Sequence, residues 1–301
     1  MDHFADRLAA ACRRKGNALC AGFDPRWESL PAEIRRRQAG GSPEAVAAAF
    51  AEFCCRALDV VAPLVPLIKP QMAFFEQCGP AGFAALEQLI RKARDLGLFT
   101  LLDGKRNDIA STAAAYAAAA FGVWGADALT VNPYLGRDAV EPFLQAARKA
   151  GGGVFVLVRT SNPGAGLFQD LRCDGRPLYR HVAEAAAGWS RENVGECGLG
   201  DVGAVVGATY PAELAELRQA MPEVPFLVPG FGAQGAGAAE TAPAFRPDGT
   251  GAVVNSSRGL LFPFRPDEPN WEAAIEKATR AAIASLAAAT PMGRLAASPP
   301  A

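Results

Sequence analysis

The chain has 301 residues, half of them hydrophobic, enough for one domain of the size at which a single (β/α)8 barrel is usual. Its 30 Lys and Arg against 31 Asp and Glu leave a net charge of −1, with no basic excess to hold a nucleic-acid backbone or an anionic membrane surface. The two histidines, His3 and His181, form no metal-binding spacing, and the apolar run Val60 to Ile68 falls short of the about 20 residues that span a bilayer.

The N-terminal stretch MDHFADRLAAACRRKG carries acids early and arginines late with no central apolar block, unlike a secretory signal. Short apolar runs then recur: LCAGFD at 19–24, VPLIKP at 65–70, LFTLLD at 98–103, DALTVN at 127–132, GVFVLV at 153–158, VGAVVG at 202–207, PFLVPG at 225–230 and GAVVNS at 251–256. Near-continuous hydrophobic runs of this length read as strands covered on both faces. Helical patterns span Glu44 to Ala62, Gly79 to Leu96, Ser111 to Phe121, Ala139 to Ala150, Pro177 to Gly195 and Ala212 to Gln219, the first introduced by the cap Ser42-Pro43-Glu44. Eight strands alternating with helices predict an α/β fold, a closed (β/α)8 TIM barrel in one domain over residues 1–289. Trp27 to Gly41 reads as an arginine-containing insertion after the first strand, surface structure near the barrel mouth. The tail 290–301, with three prolines among alanines and serines, reads as disordered. Seven cysteines without a C-x-x-C pair read as reduced, mostly buried thiols of a cytoplasmic protein.

A parallel barrel keeps its chemistry at the C-terminal ends of its strands. The densest such end is LLDGKRNDIAST, 101–112. Side chains alternate faces along an extended segment, so Asp103 and Lys105 point the same way, and Asp108 follows three residues later. Such a run can hold a lysine cationic between carboxylates while one carboxylate presses on a negatively charged substrate group, which suits a decarboxylation. Other strand ends add Asp24, Lys69, Asn132, Arg159-Thr160-Ser161 and Ser256-Ser257-Arg258. After the seventh strand, VPGFGAQGAG offers exposed amides to an anion. A monophosphate is therefore expected between the Gly230-to-Gly235 amides and the Arg258 guanidinium, with Gln234 as a further donor. Singly, each feature has a structural alternative: a strand-end aspartate caps or pairs, a glycine-rich loop turns, and Lys69, Asp103, Lys105 and Asp108 form a salt-bridge network. Convergence on one rim, and the cost of burying such a network, favour function.

The run D-x-K-R-x-D-I-x-x-T from Asp103 to Thr112 resembles the signature of the orotidine 5'-phosphate decarboxylase family. KPQMAFFEQCGPAG (69–82), TVNPYLGRDAVEPFL (130–144), VLVRTSNPGAG (156–166), VPGFGAQG (228–235) and VVNSSRG (253–259) are similar to its longer bacterial form, subfamily 2. The resemblance covers about residues 19–262 and implies conversion of orotidine 5'-monophosphate to UMP and CO2, the last step of de novo UMP synthesis, with no metal and no organic cofactor. By motif, Lys105 is then the ammonium that stabilises charge at pyrimidine C6 and protonates it, Asp103 sits beside the substrate carboxylate, and Lys69 completes the alternating charges. Asp24 is implied to bind ribose hydroxyls and Ser161 the pyrimidine, while Gln234 and Arg258 grip the phosphate beside Pro229, Gly230 and Ser257. Asp108 and Thr112 are implied to reach the site of a second subunit, hence a homodimer with shared sites. Two positions depart from the family pattern: Gly104, where alanine is commoner, and Asn107, where glycine is commoner and where asparagine is expected to accept glycine's backbone angles.

Two other readings compete. A related barrel decarboxylase acting on 3-keto sugar phosphates keeps a D-x-K-x-x-D core but uses magnesium; the R-x-D-I-x-x-T continuation and the Gln234/Arg258 pair favour the nucleotide. A catalytically inactive nucleotide-binding barrel would bind ligand without turnover.

Overall fold

The computed structural model describes residues 3–38, 41–232 and 237–297. Eight parallel strands close a barrel: β1 Leu19–Phe23, β2 Leu67–Pro70, β3 Phe99–Arg106, β4 Ala128–Val131, β5 Gly153–Arg159, β6 Val202–Val206, β7 Phe226–Val228 and β8 Ala252–Ser256. Each pairs with the next, and β8 returns to β1 through Leu19↔Val254, Cys20↔Asn255 and Ala21↔Ser256. Every residue of β1, β2, β4, β6, β7 and β8 is buried, which is why these strands read as continuous apolar runs.

The outer helices are α1 Phe4–Lys15, α2 Pro43–Val61, α3 Gly79–Asp95, α4 Ala110–Ala117, α5 Arg137–Ala150, α6 Leu178–Arg191, α7 Pro211–Ala220 and α8 Trp271–Ala289. At the start of α2 the Ser42 hydroxyl accepts from the Ala45 amide at 3.3 Å, and Pro43 occupies the first turn, where its missing N–H costs nothing. The helix expected to Phe121 stops its regular winding at Ala117 and continues as a wider π-helical turn, Ala118–Val123.

Helices α1 and α8 have no counterpart among the helical patterns of the sequence. The first turn of α1 sets Phe4 edge-on against Phe99 and Phe155, with ring centroids 6.2 and 6.3 Å away, and so plugs the N-terminal end of the barrel. Gly153 makes this approach feasible, since a Cβ there would lie 2.5 Å from the Phe4 ring. Trp271 opens α8 fully buried, its ring 5.4 Å from Phe53 and its Nε1 donating to Glu33 at 3.0 Å.

Two expectations are corrected. The stretch after β1 is not mere surface: a 3-10 turn, Trp27–Ser29, and a helix, Ala32–Arg37, bury Leu30 and Ile34 completely, and the Ala32 amide donates to Pro266. Its residues 39 and 40 lie outside the described residues. The segment read as a disordered tail is ordered to Ala297, because Met292 and Leu295 supply apolar side chains that bury and Pro291 starts a 3-10 helix instead of preventing one. The Thr290 hydroxyl donates to Leu286 O and accepts from the Met292 amide, tying the turn to α8. Residues 298–301 of that expectation lie outside the described residues. Among the described residues no helix is long and apolar enough to cross a membrane.

Candidate active site

At the C-terminal ends of the strands lies a cavity of about 550 Å3, within the range of small-molecule sites. Its charged floor is built from three adjacent strands. Asp103 Oδ2 accepts from Lys69 Nζ at 2.6 Å and from Gln71 Nε2 at 3.1 Å. Asp103 Oδ1 accepts from Lys105 Nζ at 2.7 Å and from the Thr130 hydroxyl at 2.9 Å. Four donors on one carboxylate satisfy all its lone-pair sites.

Burial alone would raise the pKa of Asp103, but the ammonium groups of Lys69 and Lys105 and their hydrogen bonds overcome it and hold the carboxyl well below the usual range. For Lys69, burial works to lower the pKa and the carboxylates of Asp103 and Asp24 outweigh it, so the ammonium is held above its ordinary value. Lys69 and Asp103 are thus an ion pair at neutral pH. Lys69 and Asp103 are sealed, with side chains 5 % and 8 % exposed, whereas Lys105 keeps 47 % of its side chain exposed. Lys105 is therefore the member free to meet a ligand.

The backbone aims it there. The β3–β4 pairing register shifts between Leu102 and Arg106, and within this shift Lys105 adopts φ 45, the left-handed region that non-glycine residues enter at a cost of about 1–2 kcal/mol. Thr130 accepts from the Lys105 amide at 2.9 Å while donating to Asp103, so one hydroxyl holds both the strained backbone and the carboxylate. Asn107, expected to need glycine-like angles, is not among the positive-φ residues; Lys105 and Ala110 are. At Gly104 a Cβ would lie 2.8 Å from Met72 Sδ, so here the side chain beneath the segment occupies the space an alanine would take.

Asp24, beside Lys69 at the end of β1, and Ser257, Arg258, Pro229 and Gly230, after β7 and β8, complete the lining. Asp24 Oδ1 is buried without a hydrogen-bond partner, an acceptor open to a ligand hydroxyl. Gly22 lets β1 and β8 approach there, since its Cβ would meet Ser257 Oγ at 2.0 Å. The Ser256 hydroxyl donates to Phe231 O at 3.1 Å and fastens the loop after β7 to β8. Gln234, expected in that loop, lies outside the described residues. Ser161 lines the wall after β5.

The cavity therefore brings together Lys69, Asp103, Lys105, Asp24, Ser161, Pro229, Gly230, Ser257 and Arg258, and does not include Asp108 or Thr112. Asp108 turns back to accept from the Ile109 amide at 2.8 Å, and Thr112 is exposed. Sequence reasoning missed Gln71, Thr130 and Arg26. Strand alternation could have placed Thr130 on the inner face, whereas Arg26, stacked 5.3 Å from the Phe74 ring centroid, carries no motif. Two lysines cancel two aspartates in the lining, leaving Arg26 and Arg258 as its net positive charge. Among the described residues no group of three or more His, Cys, Asp or Glu side chains is placed to hold a metal ion.

The sequence matches the model of the orotidine 5'-phosphate decarboxylase / HUMPS family over residues 17–262. An orotidine 5'-phosphate decarboxylase of Rhodopirellula baltica is 50% identical over 290 residues, covering 92% of this chain and 96% of that protein. One from Cupriavidus taiwanensis is 44% identical over 265 residues, 87% of this chain and 90% of that one. Among solved structures, the OMP decarboxylase of Leishmania donovani superposes with a TM-score of 0.76 at 37% identity, covering 95% of this chain and 98% of that chain.

Proposed function

Because the chain belongs to the orotidine 5'-phosphate decarboxylase family, it converts orotidine 5'-monophosphate to UMP and CO2 in pyrimidine biosynthesis, and we propose that it does so by metal-free electrostatic stabilisation and lysine protonation at C6, with Lys105, Asp103, Lys69 and Asp108 as the catalytic groups. The observation that carries this assignment is the Asp103 carboxylate clamped between two ammonium groups on the cavity floor, Lys105 being the more exposed of the two.

When the C6–carboxylate bond breaks, CO2 leaves and the electron pair stays in an in-plane orbital at C6 that the ring cannot delocalise. A preorganised cation beside that carbon stabilises the charge without solvent reorganisation. Lys105 fills that role and transfers its proton to C6, returning to the ammonium from solvent. Asp103 faces the departing carboxylate and holds the Lys105 ammonium in place, and Lys69 keeps Asp103 charged in turn. No metal or organic cofactor enters these steps.

Asp24 takes the ribose hydroxyls, Ser161 the pyrimidine, and Arg258 the phosphate, with Pro229, Gly230, Gln234 and Ser257 around it. Phosphate binding far from C6 contributes energy that the closed site uses at the reacting carbon. Asp108 and Thr112 serve the site of a second subunit in a homodimer; their position outside this chain's own cavity supports that reading. Buried thiols at Cys12, Cys20, Cys54 and Cys78 support a reducing, cytoplasmic setting.

The test is the ultraviolet absorbance of orotidine 5'-monophosphate with purified protein in EDTA, beside Lys105→Ala. Wild type is expected to convert it fully in EDTA, and Lys105→Ala to lose several orders of magnitude, each tenfold being about 1.4 kcal/mol of barrier. Near-normal turnover by the variant would refute the lysine assignment, and inhibition by EDTA the metal-free one.

A further inference from the structure

The loop between β5 and α6 leaves the barrel at Thr160, and one turn of it, Gly166–Gln169, folds back onto the end of β5. Gln169 Oε1 lies 3.0 Å from the Thr160 backbone nitrogen and Gln169 Nε2 lies 2.8 Å from the Thr160 hydroxyl. The Thr160 hydroxyl in turn sits 2.7 Å from Asn162 Oδ1. Beside this clip Arg159 pairs with Asp170 at 2.7 Å and with Glu213 at 2.8 Å, so the turn is held from two directions. Thr160, Asn162 and Gln169 all line the cavity.

One group that cannot exchange its role sets the direction of the whole chain of bonds. A backbone N–H only donates, so the Gln169 atom facing it is the carbonyl oxygen, and the amide nitrogen must face the Thr160 hydroxyl. That hydroxyl, accepting from Gln169, gives its single proton to Asn162 Oδ1. The Asn162 carbonyl is thereby occupied, and its amide nitrogen is the end left to meet a ligand. The wall next to it is apolar, formed by Leu157, Val205 and Leu227, which suits the face of a base rather than a phosphate.

We propose that Gln169, acting through Thr160, is a positioning residue that locks the Asn162 amide as a hydrogen-bond donor to a carbonyl oxygen of the pyrimidine base. This rests on the orotidine 5'-monophosphate reading of the cavity. Gln169→Glu is the discriminating variant: it keeps shape and the bond from the Thr160 amide, but turns a donor into an acceptor. The Thr160 proton is then drawn to the introduced carboxylate, and Asn162 is released to rotate.

The experiment compares Kd for UMP and for ribose 5-phosphate, which lacks the base, together with KM and kcat for orotidine 5'-monophosphate. Gln169→Glu and Thr160→Val are each expected to weaken UMP and raise KM about five- to tenfold, the scale of one lost neutral hydrogen bond, while ribose 5-phosphate binds as before. Asn162→Asp, which removes the donor itself, loses most, and Thr160→Ser recovers most of what Thr160→Val loses. Unchanged UMP affinity in Gln169→Glu, or equal weakening of UMP and ribose 5-phosphate, overturns the proposal. Wild-type turnover with such variants overturns this proposal alone; a wild type that neither binds UMP nor turns over substrate overturns the parent reading and this one with it.

Discussion

Asp103 concentrates the energetics of the site in one carboxylate. Its pKa is lowered from 3.8, so its contribution to stability is present above that unfolded value and is lost only as pH falls through the lower folded value. Lys69 is raised from 10.5, so its contribution is present below that value and is lost as pH climbs through the higher folded one. Between the two, wild-type stability owes no pH dependence to this pair. Asp103→Asn keeps the shape but leaves Lys69, 4 % exposed, without its contacting counter-charge. The expected loss is about 3–5 kcal/mol at neutral pH, as for a broken buried pair. Burial then pulls the Lys69 pKa below 10.5, so the variant's stability should rise as pH climbs toward 10.5, where the wild type is flat. Thermal unfolding across that range decides it, and a flat profile at wild-type Tm would refute the argument. Alternation along β3 was enough to put Asp103 and Lys105 on one face from the sequence. It could not show that Lys105 rather than Asn107 would take the left-handed backbone, because that depends on Thr130, distant in sequence, offering its hydroxyl to the Lys105 amide.

All eight strands were legible in the sequence because burial on both faces writes itself as an unbroken apolar run. The helices that were missed lacked that signature. The pattern of α1 is interrupted by arginines on its solvent side, and α8 is built largely on alanine, whose periodicity is faint. The segment from Thr290 resembled a tail because its three prolines among alanines and serines suggested disorder, while the two side chains that anchor it, Met292 and Leu295, are too few to form a pattern. A chain ending at Ala289 is expected to lose about 2–5 kcal/mol, the range for removing buried Leu or Met, read as a shift in the urea midpoint. Where β1 meets β8 the constraint is steric. Gly22→Ala places a methyl against Ser257 Oγ and Asn255 Oδ1 and should cost about 1–3 kcal/mol by overpacking. It should also weaken UMP binding, since the phosphate wall shifts with β8; isothermal titration with an unchanged Kd would show that the wall absorbs the methyl elsewhere.

Shared sites belong to an assembly that no single chain displays. If Asp108 serves a neighbour, Lys105→Ala and Asp108→Ala subunits, each inactive alone, should recover about a quarter of wild-type activity after statistical exchange into dimers. No recovery despite demonstrated exchange would place Asp108 in its own subunit's service. Sequence reasoning reached the overall architecture through strand count alone, yet it could not reveal how the barrel is sealed. Closure joins Leu19–Ala21 to Val254–Ser256, the first and last strands of the barrel, and Phe4 plugs the floor between strands that are made much later. During synthesis, therefore, β1 emerges with one edge unpaired and must wait through the other six strands of the barrel before its partner exists. Nascent chains stalled before Ala252 should expose that edge and be clients of chaperones, whereas release of the completed chain is the event that withdraws the edge from aggregation.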